Sequence, residues 1–240
     1  MTVPAHDHED RDQHGYALPY HWCQPRFYRS VVEEAVRRLD GVVRGRSVLE
    51  VGCGDGFVTS LFAKRATSVV GFDLNARAIE FARLIVRDPN VRFEVGRAAD
   101  ITAIATSAGD VEVVAAMEVV EHLSGRERTA FLEGVVGVLR ARGGGALVLT
   151  TPNGAKRPGG RANPHHAQEF TARELADLLR SSGFEGVAVS GLYLQPSWTR
   201  LEHFADVVPF RALFRRLVQA GAERPDRCRT LVCVARVPGP

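Results

Sequence analysis

Residues 50–56 of this 240-residue chain read Glu-Val-Gly-Cys-Gly-Asp-Gly, three glycines at alternate positions behind an acid. Lacking a Cβ, glycine takes positive φ and lets a ligand lie against the backbone. The G-x-G-x-G spacing of Gly52, Gly54 and Gly56 differs from the G-x-G-x-x-G of dinucleotide loops. A second acid, Asp73, ends the next apolar run, where a carboxylate can accept hydrogen bonds from ribose hydroxyls. Glu50 and Asp73 together would repel a diphosphate, so the pair favours a nucleoside that carries a cation. Further along, Glu118, Glu121 and His122 stand at i, i+3 and i+4, which on a helix or turn places them on one face. His165 and His166 follow the next strand pattern and could converge on the same place. Two chemistries fit these residues. One histidine of His122, His165 and His166 could act with Glu121 as a general base. Alternatively, Glu118, Glu121, His122 and His166 could hold a divalent ion such as Mg²⁺ that orients and acidifies hydroxyls. A plain structural turn is the third reading, and the metal-free base is preferred over the ion.

These residues need a scaffold, and the hydrophobic pattern supplies one. Apolar runs at 47–51, 68–72, 91–95, 111–116, 146–150, 187–194 and 230–237 read as strands. Helical spacing recurs from Pro25 to Leu39, where Asp40 and Gly41 stop it, and again over 59–66, 76–86, 126–139 and 172–181. A further helical stretch covers roughly 203–219. Continuous apolar strands alternating with amphipathic helices imply a parallel sheet covered on both faces.

Composition narrows the class. The chain is 45% hydrophobic and 25% charged, with a net charge of +3, which suits one α/β domain and offers no dense basic block for nucleic acid. Neither a basic-then-apolar leader nor a membrane-length apolar run is present, so a cytoplasmic protein without a membrane span is expected. Cys23, Cys53, Cys228 and Cys233 have neither zinc nor disulfide-framework spacing and read as buried reduced thiols. Residues 1–24 form a polar arm whose early histidines are too loosely spaced for a metal site. The arm ends in an aromatic cluster, Tyr16 to Trp22, expected to fold over the core or a ligand as a lid. Tyr193 and Trp198, with Tyr20 and Trp22, could wall an apolar acceptor pocket.

The stretch Val48-Leu49-Glu50-Val51-Gly52-Cys53-Gly54-Asp55-Gly56 resembles motif I of class I S-adenosylmethionine methyltransferases. Asp73 resembles their ribose-binding acid, and Ala115 to Leu123 their motif after the fourth strand. Leu139 to Ala146 resembles the turn before the fifth strand, with Arg142 where proline is usual. Asn163 to Thr171 resembles a loop of ubiquinone-biosynthesis-like relatives. The resemblance covers roughly residues 45–185. It implies a Rossmann-like class I methyltransferase fold, a seven-stranded, mostly parallel sheet whose last strand is antiparallel. It also implies S-adenosylmethionine as cofactor, held by Glu50, Gly52, Gly54, Gly56, Asp73, Leu74, Asp100 and Met117. Relatives often carry Gly-Asp-Ala after the third strand. Here Gly96-Arg97-Ala98 stands there, so Asp100 either takes the adenine-side role or caps a helix. The Glu-x-x-Glu-His with a later His also resembles small-RNA terminal ribose methyltransferases.

The expected protein is thus an enzyme with an arm and lid over 1–24 and a methyltransferase domain over 25–240, carrying a substrate cap around 195–227. Its expected reaction is O-methylation of a small molecule in specialised or quinone-type biosynthesis. RNA 2′-O-methylation at a terminal ribose and a cofactor-binding module without catalysis are the alternatives.

Overall fold

The computed structural model describes residues 20–24, 26–156, 165–194, 216–217, 219 and 221–239. The expected cap over 195–227 therefore lies mostly outside the described residues, as do Trp198 and the arm's Tyr16 to Pro19.

The elements run α1 (Arg26–Arg38), α2 (Asp40–Val43), β1 (Ser47–Val51), α3 (Phe57–Ala63), β2 (Ser68–Asp73), α4 (Ala76–Ile85) and β3 (Val91–Val95). They continue with α5 (Ile101–Ala108), β4 (Val113–Met117), α6 (Gly125–Ala141), β5 (Gly145–Pro152), α7 (Ala172–Ser181), β6 (Glu185–Leu194) and β7 (Cys228–Val237). One seven-stranded sheet results, ordered β3-β2-β1-β4-β5-β7-β6. β3, β2, β1, β4 and β5 pair in parallel, and β7 runs antiparallel between β5 and β6. This is the expected Rossmann-like architecture.

Neighbouring strand residues point to opposite faces, and here both faces are buried. Leu49, Val114 and Leu147 join Phe131 and Leu132 of α6 and Leu175 and Leu179 of α7 on one side. Val48, Val113 and Val148 join Val36 of α1 and Phe62 of α3 on the other. At about 1.5–3 kcal/mol for each large side chain fully buried, these two layers drive the fold. Helix starts are fixed locally. Asn75 caps α4 through its side chain, and capping boxes open α6 (Ser124 with Glu127) and α7 (Thr171 with Glu174).

α1 ends at Arg38, next to the stop expected at Asp40 and Gly41, and those two residues open a short separate helix, α2, whose Val43 is buried. The α5 helix follows Asp100, one of whose two expected roles was to cap a helix, and it buries Ile101, Ile104 and Ala105. Cys53, Cys228 and Cys233 are buried, but Cys23 is exposed.

Candidate active site

Winding reverses between β1 and β4, adjacent strands from opposite halves of the sheet. Parallel sheets open a crevice beyond the carboxyl ends of such strands. A cleft of about 710 Å³ lies there, large enough for a nucleoside cofactor and part of a second molecule. Gly52, Gly54, Asp73 and Met117 line it from one side. Glu118, His122, His165, His166, Glu169, Tyr193 and Arg229 line it from the other.

On the loop side, Gly52 and Gly54 have φ of 67° and 51°, a region costly for other residues. A Cβ at Gly52 would come within 2.7 Å of Val119 Cγ2, so glycine is also required sterically. Gly56 also takes a positive φ, 77°, and a Cβ there would crowd Ala82, Val86 and Phe93. Asp73 accepts from the Gly54 amide (2.9 Å) through Oδ2 and from the Asn75 amide (2.9 Å) through Oδ1. It thereby ties the loop to β2 and keeps one carboxylate edge beside the cleft. Glu50 lies beneath the loop, accepting from Thr59 Oγ1 at 2.6 Å. Burial, reinforced by the nearby Asp73 and Asp55 charges, pushes its pKa to about 8 despite the Thr59 bond. Glu50 is thus a neutral or half-ionised support of the loop rather than a cleft-lining residue. Leu74 is 43% exposed. Asp100 occupies the N-cap position of α5 without a side-chain capping bond. Neither residue lines the cleft.

On the far side, Glu118 is the residue after β4 and has φ of 56°, rare for a non-glycine residue and found most often at functional sites. Residues 118–123 form a turn rather than a helix. Glu118 opens to the cleft, whereas Glu121 is fully buried. Glu121 Oε2 accepts from Thr151 Oγ1 at 3.0 Å. Its Oε1 has no hydrogen-bond partner and lies 3.9 Å from His122 Nε2. Burial, with the Glu118 charge nearby, pushes the Glu121 carboxyl well above the ordinary range. The Glu121 carbonyl accepts from the amides of Ala167 (2.7 Å) and Gln168 (3.1 Å), fastening the histidine loop to this turn. His122 Nδ1 lies 3.0 Å from the His165 carbonyl. A carbonyl only accepts, so Nδ1 carries the proton and the lone pair of the neutral ring falls on Nε2. His166 Nδ1 is paired with Glu169 Oε1 at 2.8 Å, and its ring packs edge-on against His122, centroids 4.8 Å apart.

Donor atoms of Glu121, His122 and His166 all lie within 4.8 Å of one another. The structure thus gathers three of the four residues expected as metal ligands, leaving Glu118 outside that group. A buried carboxylate oxygen without a partner beside two imidazoles is a donor set that suits a divalent ion. The residues fit such an ion, although they equally form a site for proton transfer.

The sequence reading missed Asp55. Its carboxylate, fully buried, accepts from the His21 amide (2.6 Å) and lies 2.9 Å from His21 Nδ1. The signal was present: an acid inside a glycine loop needs a partner once buried. His21, read only as part of the arm's aromatic cluster, supplies it.

Residues 48–143 match the methyltransferase domain family. A Mycolicibacterium smegmatis protein named as an S-adenosylmethionine-dependent methyltransferase is 34% identical over 164 residues, covering 67% of this chain and 60% of its own length. The chain thus spans less than two thirds of that relative; for a similar Mycobacterium tuberculosis protein the share is 56%. A ubiquinone biosynthesis O-methyltransferase of Azoarcus sp. is 27% identical over 201 residues, 75% of this chain and 84% of that protein. Among solved structures, a complex of DhpI with SAH superposes with a TM-score of 0.63 at 20% identity, covering 92% of this chain and 90% of that one, and so shares the fold. Taken with the sheet order and the switch-point cleft, these matches show a methyltransferase domain over residues 48–143 in a chain of Rossmann-like fold that is similar to S-adenosylmethionine-dependent methyltransferases.

Proposed function

We propose that the chain transfers the methyl group of S-adenosylmethionine to an oxygen of a small molecule held in the cleft. One observation carries the reading: a single cleft joins the Gly52–Gly54 loop and Asp73 to His122, His165 and His166. Bound there, S-adenosylmethionine supplies an electrophilic methyl carbon with its own leaving group. Asp73 would accept from the ribose hydroxyls, and Gly52 and Gly54 let the methionine part lie on the backbone. Met117, ending β4, and Glu118 after it border the space where acceptor and methyl group must meet. His122 would take the acceptor's proton on Nε2, with the His165 carbonyl holding its tautomer. The described helices include none long and apolar enough to cross a membrane, consistent with an acceptor taken from solution.

The Oε1 atom of Glu121 supports a second version of the same reaction, in which Glu121, His122 and His166 hold a divalent ion. Such an ion would lower the pKa of an acceptor hydroxyl and draw the Glu121 carboxyl back to its ionised form. One experiment separates the versions. The full chain is incubated with methyl-labelled S-adenosylmethionine and fractionated bacterial extract, with and without exhaustive chelation. Label in a small-molecule fraction that survives chelation supports the histidine base alone. Loss on chelation, restored by Mg²⁺ or Mn²⁺, establishes the ion. Label confined to RNA would overturn the small-molecule reading, and binding without any labelled product would point to a non-catalytic module.

A further inference from the structure

We propose that His21, outside the matched domain, completes the cofactor site by binding the carboxylate of the methionine moiety, and that Asp55 holds it there. The inference rests on the cofactor reading above and extends it to a residue of the arm.

The argument begins with charge. The acids that flank the glycine loop are Asp55 and Asp73, with Glu118 across the cleft, while Glu50 beneath the loop holds its proton. They suit the sulfonium and ammonium of the cofactor but oppose its carboxylate. His21 is the cation-capable side chain that reaches the loop itself. A Cβ built on Gly54 has His21 Cε1 at 3.9 Å, and, apart from its chain neighbours, no other heavy atom of the described residues within 4 Å. That side of Gly54 is where a ligand lying on the loop must pass.

The ring is also preorganised. Asp55 can only accept when ionised, so His21 Nδ1 donates to it. The Asp55 carboxylate takes the His21 backbone amide as well, and Oδ1 is reached by the Phe57 amide at 3.3 Å. Trp22 Nε1 donates to the Asp55 carbonyl at 3.0 Å, and the Trp22 ring stands edge-on to Phe57 with centroids 5.2 Å apart. Tyr20 packs edge-on to His21 from the other side at 4.9 Å. With Nδ1 committed to Asp55, Nε2 is the ring atom that can meet a ligand in the cleft that His21 lines. A carboxylate placed there would sit between the amides of the glycine loop and the Nε2–H that the ring carries in its imidazolium form, in which both nitrogens donate. Asp55 and the cofactor carboxylate would then flank one imidazole, and Glu118, the other charged group acting on His21, faces it across the cleft. The arm thus reads the amino-acid end of the cofactor, which the glycine loop and Asp73 alone do not.

The test compares two ligands that share the adenosine part. S-adenosylhomocysteine carries the carboxylate; 5′-methylthioadenosine lacks the amino-acid end. Both are titrated calorimetrically into the full chain and into His21→Asn, whose amide nitrogen can still donate to Asp55. The expected result is a loss of about tenfold or more in S-adenosylhomocysteine affinity, from one charge-assisted hydrogen bond. Affinity for methylthioadenosine should stay unchanged. Asp55→Asn should weaken the same discrimination between the two ligands, because its amide carries no charge and keeps a single accepting oxygen where the two His21 donors meet two. A loss shared equally by both ligands would mean that the arm merely props the loop, and no loss for either would mean that His21 stands clear of the cofactor; both results overturn the proposal. If the wild-type chain bound neither ligand, the cofactor reading itself would fail and take this inference with it.

Discussion

Two groups of acids face one another across the cleft, and they are built differently. At the glycine loop every acid has a job within the fold. Asp73 accepts two backbone amides, Asp55 accepts from the arm and from the start of α3, and Glu50 accepts from Thr59. Beyond β4 the pattern is incomplete. Glu118 takes a strained left-handed backbone to face the cleft, and one oxygen of the buried Glu121 has no partner. Buried polar groups without partners cost about 1–3 kcal/mol each, so proteins retain them chiefly where chemistry or a ligand repays the cost. The loop side therefore has the character of a rigid cradle, and the far side that of a reactive surface awaiting acceptor, proton or ion.

The largest expected effect tests whether the cradle is closed by the arm. Deleting residues 1–24 removes both His21 contacts to Asp55 and the Trp22 bond to its carbonyl, leaving a buried carboxylate exposed at the loop. Turnover should fall to background while circular dichroism shows the sheet and helices intact. A truncated chain with full activity would erase the arm from the cradle and reduce the comparison to the loop alone.

A smaller effect probes the cradle's best-defined member. Asp73→Ala removes an acceptor for the Gly54 and Asn75 amides together with the proposed ribose contacts. Affinity for S-adenosylhomocysteine should fall between several-fold and about a hundredfold, as expected for one or two hydrogen bonds to a charged group. Unchanged affinity by calorimetry would show that Asp73 shapes the loop without touching the ligand.

The two sides were unequally legible in the sequence. Local rules fix the cradle. Short apolar strands mark β1 and β2 to within a residue, the glycines need positive φ, and the acid at the end of β2 follows from the topology. The far side depends on contacts between distant segments. His122 meets His165 and His166 only because the Glu121 carbonyl captures the amides of Ala167 and Gln168. Sequence spacing put Glu118, Glu121 and His122 on one face, but the turn over 118–123 sends Glu118 to the cleft and Glu121 to the interior. The His21–Asp55 pair spans 34 positions and follows no periodicity, so only the acid inside the glycine loop hinted at it.

A last test, read in stability rather than in binding or turnover, asks whether the cradle's acids are all ionised, and Glu50 predicts that they are not. Its carboxyl is buried and its pKa lies at about 8, against an ordinary value of 4.5. Between those values the folded chain keeps a proton that the unfolded chain has released. Stability must then fall as pH rises through the window, by up to about 1.4 kcal/mol per unit, and flatten above about 8. Glu50→Gln keeps an oxygen that can accept from Thr59 and removes the titration. Urea unfolding from pH 5 to 8 should show the wild-type chain losing stability relative to the variant, the gap widening to about 2–4 kcal/mol at the upper end. Near pH 5 the two should be almost equal, since both side chains are then neutral in the fold. Parallel curves across the window would mean that Glu50 is ionised beneath the loop. The cradle would then hold a full buried negative charge, and its supposed contrast with the far side would narrow to the single unpartnered oxygen of Glu121.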